Sequence, residues 1–544
     1  MNNRIVEYLS GAFCLLWGFL IFIDYWYYHP SYYLSLINFQ YVALTAVLTL
    51  LGGGIGYLLL KTDKKKQVPF FANGLGIFAL FLTVCAIIIV MHFQVLAMNV
   101  DLSAAEVFTF LGKIAFVLFI SFFVFTVAYV LGAAFIDGLF DFSFNHLEDS
   151  VIKIAIGIVI ISLLLFLLGT VNLLLSPIIW GLFVAFLAIF WRKTLTFLKI
   201  SLLQPIAYKK NLNWLGFLSF YITLLFISLI YLQNIRPVPY GFDALALYLN
   251  LPNLIYEEQG LVEGFAPYYW SLFVSLGYFL VDQIEVVISL SVAGGILSAF
   301  AIYAIARKWV SSNYALFTVL LFYSLPLVNF QSYRDIKTDL GLLFILLSIL
   351  LVLVNYLTSI YPVKYAVLSF EKEQTKKIKP GIEQVEKKAI ITRLIGQEYS
   401  FLLLLGLLSG LALGIKLTAL ILIFSVVAVF FYVKAGQIGF LTSVLLTFLV
   451  ILLANLDVES GLRAYHFGAD TLQFVVLGIG LAGLVFMFYR NSKQSFHLIK
   501  ICTVYTLFSI LTYLPWPIKH YKETKVLSFQ TIIEGKSLQP AYVK

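Results

Sequence analysis

Apolar runs about as long as a bilayer core recur from one end of this chain to the other. Between Ala155 and Phe190 there is not one charged residue. No soluble helix or strand buries so long a run on every side, so lipid must be the solvent for much of the chain. Composition agrees: 62% of the 544 residues are hydrophobic and 12% charged, against roughly half and a quarter in soluble domains. The runs are continuous rather than alternating, which excludes a β-barrel. The sequence predicts an all-α fold, a polytopic transmembrane helical bundle of about fifteen spans.

The predicted spans are 7–28, 37–60, 70–97, 105–135, 151–171, 173–191, 212–232, 285–306, 314–330, 338–359, 399–415, 417–433, 437–455, 471–489 and 496–514. The first is longer than a signal-peptide core and lacks a small-residue cleavage site before "DYWYYHP", so it reads as a retained helix. Basic loops set the orientation. "KTDKKK" (61–66), "RKTLTFLK" (192–199), the long stretch 362–398 and "RNSK" (490–493) share one side if the N-terminus is inside. That holds only if the short apolar stretch 268–281, "YYWSLFVSLGYFLV", does not cross. It is then an interfacial helix lying against the membrane, and loop 233–284 is outside. The expected location is a prokaryotic-type inner (cytoplasmic) membrane. The net charge of +9 serves topology and anionic lipids, not nucleic acid. Cys14, Cys85 and Cys502 have neither metal spacing nor the pattern of a disulfide framework. Residues 1–200 form an N-terminal six-helix region. Residues 201–544 form a second region, with the outer loop 233–284 and the cytoplasmic loop 362–398.

Four polar groupings stand out. Asp243, Asn250 and Glu257 are spaced by seven in the outer loop, one polar face of a helix that Pro252 divides in two. Either this is an amphipathic anchor facing water, or Asp243 is a carboxylate placed to take a proton. "QSYRDIKTDLG" (331–341) packs Arg334, Asp335, Lys337 and Asp339 into one short outer turn. Local ion pairs explain it; so does a phosphate-binding patch, with Asp335 or Asp339 on a sugar hydroxyl. Lys416 interrupts a long apolar run just after Gly406, Gly410 and Gly414. It is either a snorkelling cation at a tight turn or a partner for a lipid phosphate, while the glycines allow close helix contact. "LPWPIKHYKET" (514–524) adds Lys519, His520 and Lys522 on the outer side, against the inside bias. Its explanations are a solvated helix end or phosphate binding. There is no HExxH, Walker A or GxSxG motif and no Cys/His metal pattern. Spans 285–433 have few mid-helix ionisable groups, which argues against a proton relay. Asp24 and Lys113 in the first six spans are exceptions.

The order of these features resembles the GT-C integral membrane glycosyltransferases that use polyprenyl-phosphate-linked sugars. It is more narrowly similar to the bacterial members related to protein mannosyltransferases and aminoarabinose transferases. "YGFDALALYLNLPNLIYEEQGLVEGFAPYYWSLFVSLG" resembles that family's outer loop with its early Asp and two juxtamembrane helices. "FYSLPLVNFQSYRDIKTDLGLLFI" resembles its later helix, proline and short acidic loop. "GLALGIKLTAL" resembles its Gly-rich helix ending in Lys-x-Thr, and "LPWPIKHYKET" its proline-tryptophan-basic stretch. Together they cover about 210–524.

The resemblance implies a GT-C-like core and sugar transfer from a polyprenyl-phosphate-linked donor to a hydroxyl of a lipid, glycan or protein acceptor. Asp243 would be the general base. Lys416, Lys519, Arg334 and His520 would hold the donor phosphate. Tyr248, Asn250, Glu257, Asp335 and Asp339 would line the substrate side. Membrane lipids are the expected partners and nucleic acid is not, and nothing in the residues requires a metal or other cofactor. The chain departs from the pattern in having Asp243 where the family has an acidic pair, and Tyr248-Leu249 in place of Tyr-His. With the short tail after Trp516, it resembles a truncated, split or degenerate member. Other functions with the same outer basic patches are a lipid-linked sugar transporter or polymerase, and a non-catalytic scaffold of that ancestry.

Overall fold

The computed structural model describes residues 74–91, 104–142, 144–203, 214–234, 241, 243–264, 267–333, 336–361, 390–453 and 469–524. They are helical, with no strand among them. The predicted spans 7–28 and 37–60, with Cys14 and Asp24, lie outside the described residues, as does 362–389. Eight helices are long and apolar enough to cross a membrane, or up to ten if each of two bent pairs counts as one span.

In chain order the first are α1 (Gly74–Met91), α2 (Ala104–Leu139), α3 (His146–Thr170), α4 (Ser176–Ile189), α5 (Trp191–Leu198) and α6 (Trp214–Asn234). A π-turn (Ala244–Tyr248) leads to α7 (Asn250–Glu258), then α8 (Tyr269–Val274) and α9 (Leu276–Val281). The rest are α10 (Ile284–Ala306), α11 (Ser312–Ser324), α12 (Pro326–Tyr333), α13 (Asp339–Ile360), α14 (Ile390–Ile415), α15 (Leu420–Leu453), α16 (Ala469–Arg490), α17 (Ser492–Tyr513) and α18 (Pro515–Thr524). Polar residues inside these apolar helices bond their own backbone, as bonding in lipid demands. Ser228, Ser298 and Ser348 each donate 2.8 Å to the carbonyl four residues back.

Ion pairs tie the helix ends into two groups. At one end Lys193 meets Asp137, which also meets Lys153. Buried Glu148 at the start of α3 meets Lys308 beyond the end of α10, and Asn355 near the end of α13 donates to it. Next to Asn355, Tyr356 donates to Glu398, which also holds Lys434 and His497. This basic end gathers those described loops that the charge count puts on one side. The other end holds residues 171–175, 241–264, 282–285, 336–339, 416 and 514–524. There Leu174 N–H donates to the Gln259 carbonyl and Asn234 to that of Ser332.

The stretch 268–281 enters and leaves at this second end, so it does not cross. It is not laid against lipid, however. Every residue from Tyr268 to Leu280 is buried, packed among α3, α10 and α14. The Tyr269 hydroxyl donates 2.9 Å to the Thr512 carbonyl. Its aromatic side chains pack better against other helices than against lipid tails, since van der Waals contact is what holds helices together in a bilayer.

The spaced glycines bring α14 against α17. A Cβ on Gly410 would stand 2.2 Å from the Ser509 carbonyl oxygen, and one on Gly406 2.7 Å from that of Tyr505. Within α15, Gly436 has φ 67°, open to glycine without steric cost. Beyond it Gly439 lies so near Phe431 that a Cβ would be 2.3 Å from the Phe431 oxygen. Eight residues of straight helix would span about 12 Å, so the chain turns back at Gly436, between the predicted spans 417–433 and 437–455.

Candidate functional site at the charged end

Lys416 sits in a break. α14 ends at Ile415, Lys416 is extended (φ −160°), and a 3₁₀ turn from Leu417 to Ala419 starts the next arm. The break explains how a lysine is tolerated in so apolar a run: its ammonium reaches the end of the bundle. There Nζ lies 2.7 Å from Asp339 Oδ1. Asp339 opens α13, where a carboxylate also meets the positive end of the helix. Gln331 donates to its other oxygen at 3.4 Å.

Two residues earlier, Lys337 reaches Asp243 Oδ2 at 2.5 Å. Asp243 stands at the start of the π-turn before α7, its side chain half exposed. Three separated stretches thus meet at one end of the bundle: the loop at 243, the turn at 337–339 and the break at 416. The charges alternate along it as acid, base, acid, base.

The other predicted residues are placed around this row. Asn250 and Glu257 are exposed, and Glu257 accepts 2.7 Å from Asn253. Like Asp243 they are exposed, but the π-turn and the break at Leu249 separate Asp243 from the helix that carries Asn250 and Glu257, so the spacing of seven does not run along one continuous helix. Tyr248 is half-buried at the end of the π-turn. The helix break falls at Leu249, ahead of Pro252, which the first turn of α7 accommodates. Leu249 and Ile255 are buried, whereas Leu245 is exposed. Arg334 and Asp335 lie outside the described residues.

Lys519 belongs to a second, adjoining group. It is buried, 2.5 Å from Glu523 one turn along α18 and 5.8 Å from the Tyr268 ring centre. Trp516 packs on Tyr268 and Tyr269, with ring centres at 4.5 and 5.0 Å. A Cβ on Gly414 would stand 2.1 Å from the Tyr269 ring and 3.0 Å from Trp516 Nε1. The aromatic knot therefore abuts the helix end that carries Lys416. Burial pushes the Tyr268 phenol well above its ordinary range, the Glu523 carboxylate adds to this, and the phenol donates to the Val262 carbonyl. His520 is half-buried on the same helix.

The sequence offers Lys337 either a local ion pair within its own turn or a phosphate; the structure instead pairs it with Asp243, 94 residues away, which links the loop at 243 to the Asp339 turn. A polar cluster at the basic end was not foreseen. Glu398 there accepts from Tyr356 (3.0 Å) and Tyr361 (3.1 Å) and meets Lys434 (3.3 Å) and His497 (2.9 Å). Among the described residues no three His, Cys, Asp or Glu side chains gather to hold a metal ion.

No family model matches this chain, and neither a curated protein nor a solved structure matches it. What the helices define is a class: a helical membrane protein with a row of charges at one end of its bundle.

Proposed function

We propose that the chain is a membrane glycosyltransferase of the GT-C type, with about fifteen spans. It moves a sugar from a polyprenyl-phosphate-linked donor to a hydroxyl acceptor at the outer face of the cytoplasmic membrane. In this reading the N-terminus is inside, loop 233–284 is outside, and 201–544 is the GT-C-like core. The observation that supports it is the meeting of Asp243, Lys337, Asp339 and Lys416 from three distant stretches. Transfer of this kind needs a base for the acceptor and cations for the departing phosphate. Both sit here beside apolar helices suited to a lipid tail.

In the proposed reaction the donor phosphate competes with Asp243 for Lys337. Its arrival frees the carboxylate. The acceptor oxygen then attacks the anomeric carbon as its proton passes to Asp243. The carbon–oxygen bond to the phosphate breaks, and the phosphate keeps the electron pair, its charge met by Lys337 and Lys416. Arg334, Lys519 and His520 are the further cations of this reading, and Tyr248, Asn250, Glu257, Asp335 and Asp339 its substrate contacts.

The test is transfer by purified protein in liposomes containing labelled polyprenyl-phosphate sugars, with released polyprenyl phosphate as readout. Asp243→Asn should abolish release while the protein still folds and inserts. Undiminished release by the Asn variant would remove Asp243 as base; no release by the wild type would leave a transporter or a scaffold in place of the transferase.

A further inference from the structure

We infer that α5 is an interfacial helix whose outward face docks anionic phospholipid at the basic end of the bundle. The chain bends by 86° between Ser176–Ile189 and Trp191–Leu202. α4 has 14 residues, about 21 Å of helix against a hydrocarbon core of about 30 Å. With the residues that lead into it, α4 brings the bend to the depth where headgroups begin. From there α5 runs across the bundle instead of along it.

Its two faces are sorted. Inward, Phe197 is buried and stacks on Tyr129 at 4.2 Å between ring centres. Lys193 turns the same way, to Asp137 Oδ2 at 2.6 Å and the Ala133 carbonyl at 3.1 Å. Outward, Trp191, Arg192, Leu195, Thr196 and Lys199 are exposed. Trp191 and Leu195 lie one turn apart, and Arg192 and Lys199 two turns apart, so an apolar row runs beside a basic one. The Arg192 guanidinium lies 5.5 Å from the Trp191 ring centre. Among the described residues neither Arg192 nor Lys199 has an acidic partner. Lys193 is thus the clamp, while the other two cations have charge to spare. A tryptophan and leucine at headgroup depth beside unneutralised bases fit a lipid with an apolar tail and an anionic phosphate. This surface is at the opposite end from Asp243 and does not rest on the glycosyltransferase reading.

The test uses the full chain in nanodiscs, with Trp191→Phe subtracted to isolate Trp191 fluorescence. Brominated phosphatidylglycerol and brominated phosphatidylcholine are compared as quenchers. Phosphatidylglycerol should quench the Trp191 signal at a mole fraction roughly tenfold lower. Arg192→Gln with Lys199→Gln should make the two lipids equal. Inorganic phosphate in place of chloride at matched ionic strength should leave the preference intact. Equal quenching of the wild type by both lipids, or by neither, would overturn the inference. So would loss of the preference in inorganic phosphate, which would mark a site for the free anion.

Discussion

Lys416 and Asp339 pair at 2.7 Å across two helix ends that are 77 residues apart in the chain. Neither charge is deeply buried: 37% and 27% of their side-chain surfaces stay exposed. A pair so wet contributes little to stability, about 0.5–1 kcal/mol. In a double-mutant cycle of Lys416→Met and Asp339→Asn, thermal unfolding in detergent should show coupling of that size. A coupling of several kcal/mol would mean that the pair is structural and not free to exchange partners.

Asp243 is half exposed and bonded to Lys337 alone among the contacts described above. Asp243→Asn should therefore leave the unfolding temperature nearly unchanged. If the proposed chemistry holds, it should lower transfer by at least about 100-fold. A variant that fails to insert would point to a structural role instead.

Glu398 and Lys434 make the opposite case. Their side chains are 18% and 13% exposed, and three more groups converge on the carboxylate. Removing the acid strands a desolvated ammonium, at a cost of about 3 kcal/mol or more. Glu398→Ala should lower the unfolding temperature sharply, and adding Lys434→Met should recover much of the loss. If the double variant is no better than the single one, stranded charge is not the cause.

Gly410 has no room for a side chain beside the Ser509 carbonyl, whereas Gly112 has nothing within 4 Å of an added Cβ. Gly410→Val should separate α14 from α17 and cost about 3 kcal/mol. Gly112→Ala should be neutral or stabilise by up to about 1 kcal/mol, through helix propensity. Equal effects at the two positions would contradict the close crossing.

Much of this was legible in the sequence for simple reasons. Apolar length predicted the helices, and Lys/Arg counts grouped the described loops at the ends where the structure gathers them. Glycines four apart on one helix face marked the α14–α17 contact, since that periodicity is local. Long-range pairing was not legible. Glu148 and Asn355 are 207 residues apart, Glu398 and His497 99, and nothing in the intervening residues encodes that distance. The burial of 268–280 was missed because a short apolar helix reads alike whether it faces lipid or protein.

Topology can be tested without any functional assumption. In a chain cleared of its native cysteines, Asp243→Cys should react with an impermeant maleimide from outside intact cells, and Lys376→Cys only after permeabilisation. The reverse labelling would invert the orientation and move the charged row to the cytoplasm.

Trp270 packs against the first turn of α13, where a Cβ on Gly341 would stand 2.1 Å from its ring. Gly341 is two residues from Asp339 and four from Lys337. The position of the charged turn is therefore set from beneath by an indole, independently of the charges it carries. Such a turn can be re-lettered while its backbone stays where it is. Libraries that vary Lys337, Thr338 and Asp339 over an untouched Trp270–Gly341 seat would change what the row attracts without changing where it stands.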